Sequence, residues 1–158
     1  MDNTIREFRA LSPSKKKKLQ LIACEYSLVV WNEFWPSVDL SYTDSVVGMN
    51  HEVDTELPLE AYYAVKLDDY SQSISNRYRE PITAMQDWDL EFPPRIEFAY
   101  YSIYNLYQKY GDKREIDDWL IINQALSSCE DLKASDLAKT IVELIASDST
   151  ERLKLTTP

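Results

Sequence analysis

Gly48 and Gly111 are the only glycines in 158 residues, and that scarcity constrains the fold more than any other feature. Tight hairpins and left-handed turns lean on glycine, which enters positive φ without steric cost. A chain with so few, rich in aromatics and in long stretches of 3.6-residue periodicity, is expected to be all-helical. The two glycines are also too far apart to form a phosphate-cradling loop of either the dinucleotide or the P-loop type. A single histidine, His51, excludes every motif that needs two.

The punctuation predicts where helices begin and end. A short helix covers Asn3–Leu11. Ser12-Pro13 then supplies an N-cap and a first-turn proline for a long helix that Pro36 stops after Trp35. On its helical wheel Leu19, Ile22, Ala23, Tyr26 and Val30 share one face, and Leu21, Cys24, Leu28, Trp31 and Trp35 share roughly the opposite one. Only the narrow wedges Glu25/Asn32 and Gln20/Ser27 are polar. A helix apolar on two faces lies between neighbours, so this is the expected centre of the domain.

Beyond it, a helix is predicted from Asp39 to near Asn50, interrupted at Gly48. Pro58 opens a helix to about Arg79, with Leu59, Tyr63, Leu67, Tyr70, Ile74 and Tyr78 inward and Glu60, Ala64, Asp68, Ser71 and Ser75 outward. Arg79–Phe92 reads as a connector with one helical turn. Pro94 starts a helix that Gly111 ends as a left-handed cap. Asp112 with Glu115 resembles a capping box for a helix through Trp119, Leu120, Ile122 and Leu126. Ser135 caps a last helix with Leu137, Ile141, Leu144 and Ile145 inward. The expected whole is one all-α domain over 1–158, a bundle of five to seven helices around a buried central one, with 147–158 a frayed polar tail.

Charge narrows the possible partners. The chain carries 27 acidic and 17 basic side chains, a formal −10, with a pI near 4.6. Residues 1–20 hold a net +4, residues 21–97 a net −11 and residues 98–158 a net −3. Nucleic acid and anionic membrane both demand positive charge at the contact, so neither is expected as a partner. A cationic protein is. Cys24 and Cys129 lie far apart within apolar helical patterns and read as reduced thiols in a cytoplasmic protein. The N-terminal stretch has no apolar core of an export signal, and no run reaches the ~18 apolar residues of a membrane span.

Local chemistry is sparse. His51-Glu52-Val53-Asp54-Thr55-Glu56, with Asp44 seven residues before His51, is the one stretch whose residue types suit zinc or manganese ligands. Without a second histidine, a solvated acidic loop is the better reading, and no metal or cofactor is expected. Adjacent aspartates at Asp68/Asp69 and Asp117/Asp118 point about 100° apart on a helix and do not converge as an acid–base pair would. Cys24 has no cationic neighbour in sequence to activate it. Catalysis is therefore not expected. Lys15 to Lys18 spread around a whole helical turn and form a solvated collar rather than a flat basic face.

Eleven tyrosines and four tryptophans exceed what one core usually needs. Tyr100, Tyr101, Tyr104, Tyr107 and Tyr110 crowd one helix, with Tyr101 off its inner stripe, and Tyr62 flanks the Tyr63 stripe. Tyrosine and tryptophan dominate interface hot spots. Asp87-Trp88-Asp89-Leu90-Glu91-Phe92-Pro93-Pro94 sets two large aromatics among three carboxylates on a proline-stiffened segment, suited to a basic, partly apolar surface. The expected contact thus takes its steering field from Glu52, Asp54, Glu56, Glu60, Asp68 and Asp69. Its anchor is Trp88, flanked by Asp87 and Asp89, with Tyr62 or Tyr101.

Leu11-Ser12, Lys18-Leu19 and Ala23-Cys24-Glu25-Tyr26, leading to Trp31 and Trp35, resemble the first long helix of helical immunity proteins from bacterial polymorphic-toxin and contact-dependent growth inhibition systems. The resemblance covers about the first third of the chain in pattern and the rest in character. It implies cytoplasmic binding and neutralisation of one cognate toxin, often a nuclease, without catalysis. Two other readings stand beside it. One is an adaptor that self-associates through the tyrosine-rich helix. The other is a metal-dependent enzyme built around His51.

Overall fold

The computed structural model describes the backbone of residues 2–156 and the side chains of residues 3–148. Seven helices and one small hairpin make up the described chain. In order they are α1 (Asp2–Arg9), α2 (Pro13–Phe34), a 3-10 turn over Trp35–Ser37, β1 (Ser41–Thr43), β2 (Asn50–Glu52), α3 (Leu57–Leu67), α4 (Gln72–Asp87), α5 (Pro94–Tyr110), α6 (Asp118–Ser128) and α7 (Asp131–Thr156). The fold is an all-α bundle, as the periodicity predicts.

Ser12 starts α2, its hydroxyl accepting the Lys15 amide at 3.4 Å, with Pro13 in the first turn. The two apolar faces of α2 enter two separate cores. Cys24, Leu28 and Trp31 join the larger one, with Leu57, Val65, Tyr78, Tyr100 and Ile103. Leu19 and Ala23 join a smaller one, with Phe8, Trp119, Ile122, Leu137 and Ile141. Of the two polar wedges, Glu25/Asn32 is exposed, while Gln20/Ser27 is buried and engaged. Gln20 donates to the Asp118 carbonyl at 3.0 Å and accepts the Tyr110 hydroxyl. The Ser102 hydroxyl donates to that of Ser27 at 2.6 Å. These bonds stitch α2 to α5 and α6 and leave neither Gln20 nor Ser27 unpaired.

Residues 39–50 do not form the expected helix. Tyr42 and Asp44 are buried while Ser41 and Ser45 are exposed, a period of two, and β1 pairs antiparallel with β2 in the register Ser41↔Glu52, Tyr42↔His51, Thr43↔Asn50. Gly48, at φ +71°, turns the intervening loop.

The single helix expected over Pro58–Arg79 is two helices. Asp68 adopts φ +50° and ends α3; Ser71 then caps α4, its hydroxyl accepting the Ser73 amide at 3.1 Å. Aspartate is among the few residues that enter this region cheaply. With the break, each helix chooses its own inner face. On α3 this is Leu57, Ala61, Tyr62, Ala64 and Val65, so Tyr63 and Leu67 are exposed where they were expected inward. Arg79–Phe92 is not a connector over most of its length, since α4 runs to Asp87 with Pro81 inside it. An interior proline ordinarily costs about 3 kcal/mol. Here Pro81, Ile82 and Ala84 are buried, and that burial offsets the lost bond.

Gly111 is right-handed, at φ −84°, and the left-handed residue is Lys113 at φ +58°. Close approach explains the glycine instead: a Cβ there would stand 2.8 Å from Cζ of Tyr107. Asp117, not Asp112, caps α6, while Asp112 accepts the Ser75 hydroxyl at 2.5 Å. The last helix begins at Asp131 rather than after Ser135, with Leu137, Ile141 and Ile145 buried as expected and Leu144 half-buried. Within the span expected as a tail, the backbone is helical through Thr156, and Asp148 is buried and paired with Lys15. Residues 157 and 158 lie outside the described residues. Among those described, no helix is long and apolar enough to cross a membrane.

Candidate functional site

The β1–β2 hairpin is the most chemically dense part of the surface. Cross-strand pairing sets Tyr42 beside His51, with ring centroids 5.3 Å apart and planes at 26°. Tyr42 donates its hydroxyl to Glu80 Oε1 at 2.7 Å, and His51 Nδ1 lies 3.5 Å from the same oxygen. His51 Nε2 lies 2.7 Å from Asp44 Oδ2. The other Asp44 oxygen accepts the amides of Val46 at 3.0 Å and Val47 at 2.7 Å. The Val47 amide and then His51 hold the Asp44 carboxyl down at about 2, against the opposing effect of burial. An ionised carboxylate only accepts, so Nε2 carries the proton.

Both ring nitrogens of His51 thus face carboxylates, Asp44 at Nε2 and Glu80 near Nδ1. Among the described residues no three His, Cys, Asp or Glu side chains converge as metal ligands do. The Cys24 thiol is fully buried, burial pushes its pKa up, and it points to the Ser102 carbonyl at 3.7 Å. A cleft beside the hairpin is lined by Asp39, Glu52 and Asp89 together with Tyr42, Thr43 and His51. None of those three carboxylates has an ion-pair partner among the described residues.

No family model, curated protein or solved structure matches this chain.

The expected contact residues fall into separate groups. Glu52 and Asp89 meet in the hairpin cleft, Asp89 also accepting the Thr43 amide at 3.0 Å. Asp87 is exposed at the end of α4, and Trp88 beside it is half-buried, its ring 6.2 Å from Tyr42. Asp54 and Glu60 converge on Arg77, the latter at 2.5 Å, so much of their field is spent internally. Asp68 pairs with Lys17 at 2.6 Å, at the opposite end of α3 from Glu60. Glu56 and Asp69 are exposed, without an ion pair among the described residues.

Tyr62 is not on the surface. It is 2% exposed and donates its hydroxyl to Glu25 at 2.5 Å, so it offers no ring to a partner. Tyr101 is half-buried against the larger core. The lysine collar is dispersed, as its spacing implies: Lys15, Lys16 and Lys17 pair with Asp148, Asp118 and Asp68 on three different elements.

Asp39 in the cleft and the exposed loop residues Val46, Val47 and Met49 were not among the expected contacts. The sequence does carry a signal for them. Asp44 stands two residues before a Val-Val-Gly run, the spacing at which an aspartate accepts amides of the following turn.

Proposed function

We propose that this chain is a non-catalytic binding module that captures a cationic protein. Following the resemblance of its first long helix, we read it as a bacterial immunity protein that neutralises a cognate toxin in the cytoplasm. The observation that carries the reading is the cleft of Asp39, Glu52 and Asp89, which gathers negative charge beside the hairpin without ion-pair partners among the described residues. Such a surface complements the basic groove of an enzyme that handles nucleic acid, which makes a nuclease the favoured toxin. The carboxylates steer encounter, while apolar contacts set the lifetime of the complex.

Self-association through the tyrosine-rich helix has less support. Tyr100 and Tyr107 of α5 are buried, and Tyr101, Tyr104 and Tyr110 pack against the same core.

The test is a titration against the purified C-terminal domain encoded by the gene immediately upstream. Association should slow by about tenfold or more between low and high salt, with dissociation much less affected. The double variant Glu52→Lys, Asp39→Lys should slow association in the same way. Salt-independent association, or no binding at all, overturns the reading.

A further inference from the structure

We propose that the tip of the β1–β2 hairpin is the docking element, and that Val46, Val47 and Met49 seat in an apolar pocket rimmed by basic side chains on the captured protein. This rests on the binding reading above and specifies its surface. Val46, Val47 and Met49 are 84%, 68% and 60% exposed. A lone exposed apolar residue needs no explanation, but three within four positions on one exposed turn form a patch of the kind that marks an interaction site. Methionine and branched side chains at its centre, with carboxylates outside, reproduce the apolar core and polar rim of a protein interface.

The tip is shaped before any partner arrives. Asp44 holds it from below through the Val46 and Val47 amides. Its own amide reaches the Met49 carbonyl at 3.0 Å, and its carbonyl accepts the Gly48 amide at 3.2 Å. His51 in turn braces the Asp44 carboxylate. A loop fixed in this way loses little conformational freedom when it binds.

Charge decides the occupant. Asp39, Glu52 and Asp89 line the cleft at the base of the hairpin. A second copy of this chain meeting tip to tip would bring like charges together, and an anionic membrane would be repelled for the same reason. A basic protein surface satisfies both halves of the patch.

The chain supplies its own probe. With only two glycines, selective nitrogen-15 glycine labelling gives two backbone resonances, Gly48 in the tip and Gly111 at the end of α5. On adding the upstream-encoded domain, Gly48 should shift while Gly111 stays in place. The variant Val46→Ser, Val47→Ser, Met49→Gln leaves every backbone bond of the loop available, and its thermal midpoint reports whether it folds. It should bind about 30-fold more weakly, chiefly through faster dissociation.

If the wild-type chain binds but Gly48 does not move, or the variant binds within about threefold of wild type, the tip is not the anchor, although the binding reading stands. If the wild-type chain does not bind, both fail. If it sediments alone as a dimer and the variant as a monomer, the occupant is a second copy, and the proposed partner is overturned.

Discussion

Trp31 donates its indole N–H to the backbone carbonyl of Thr55 at 2.9 Å, joining the central helix to the short segment between the hairpin and α3. The indole is fully buried, with Phe92 and Tyr100 at 5.8 and 5.3 Å between ring centroids. Trp31→Ala should cost on the order of 3–5 kcal/mol, because it opens a cavity in the larger core and strands a carbonyl. Trp31→Phe keeps most of the volume and should cost about 1–3 kcal/mol. Urea denaturation measures both, and a neutral alanine variant would contradict the assignment of this helix as the centre of the fold.

Acid should destabilise the protein through a specific set of aspartates. Asp44 is held at about 2 by the Val47 amide and His51, Asp68 is lowered by Lys17, and Asp117 is lowered by Arg9. A carboxylate whose pKa is depressed on folding binds fewer protons in the folded state. Its contribution is complete above the unfolded value of about 3.9 and is lost as pH falls toward the folded one. Thermal midpoints should therefore decline from about pH 5 to pH 2. Asp44→Asn keeps an acceptor for the loop amides but removes the charge, so its decline should be shallower. An equally steep curve for that variant would remove Asp44 from the account.

Two tyrosines in the core should not need their hydroxyls. Tyr78 and Tyr100 pack edge to face at 5.6 Å, and neither phenolic oxygen has a hydrogen-bond partner among the described residues. Replacing either with phenylalanine removes an unsatisfied polar group and should be neutral, or stabilising by up to about 1 kcal/mol. Tyr107 is the contrast, since its hydroxyl donates to the Ser71 carbonyl at 2.7 Å and accepts the Ser71 amide at 3.2 Å. Tyr107→Phe should lose about 1–2 kcal/mol. The same loss in Tyr78→Phe would show that its hydroxyl is satisfied.

The two glycines should fail differently when replaced. At Gly111 a Cβ meets the Tyr107 ring at 2.8 Å, so alanine and asparagine should both destabilise by about 1–3 kcal/mol through overpacking. At Gly48 there is open space but φ is +71°, so alanine should be strained while asparagine is tolerated. Paired melts of the four variants separate steric crowding from backbone strain.

How much of this was legible in the sequence depended on where each residue's partners lie. The two faces of α2 could be read because each apolar stripe follows its own spacing, and both stripes found a core. The break between α3 and α4 could not. Leu59 to Tyr78 keep helical spacing across it, while the conformation of Asp68 is supported by Lys17, from another helix. The hairpin was hidden for a similar reason: the link between His51 and Glu80 crosses to α4. An acidic middle was plain from composition. Which carboxylates remain unpaired was not, because Arg77 reaches Asp54 and Glu60 from a different element.

The hairpin loop is fixed by the side chain of Asp44 and by main-chain groups of the residues it presents. Nothing in that arrangement depends on which side chains stand at positions 46 and 47. Drift at Val46 and Val47 can therefore change the surface the tip presents without moving its frame or touching either core. Selection on a changing partner would find two positions here where novelty carries almost no cost in folding.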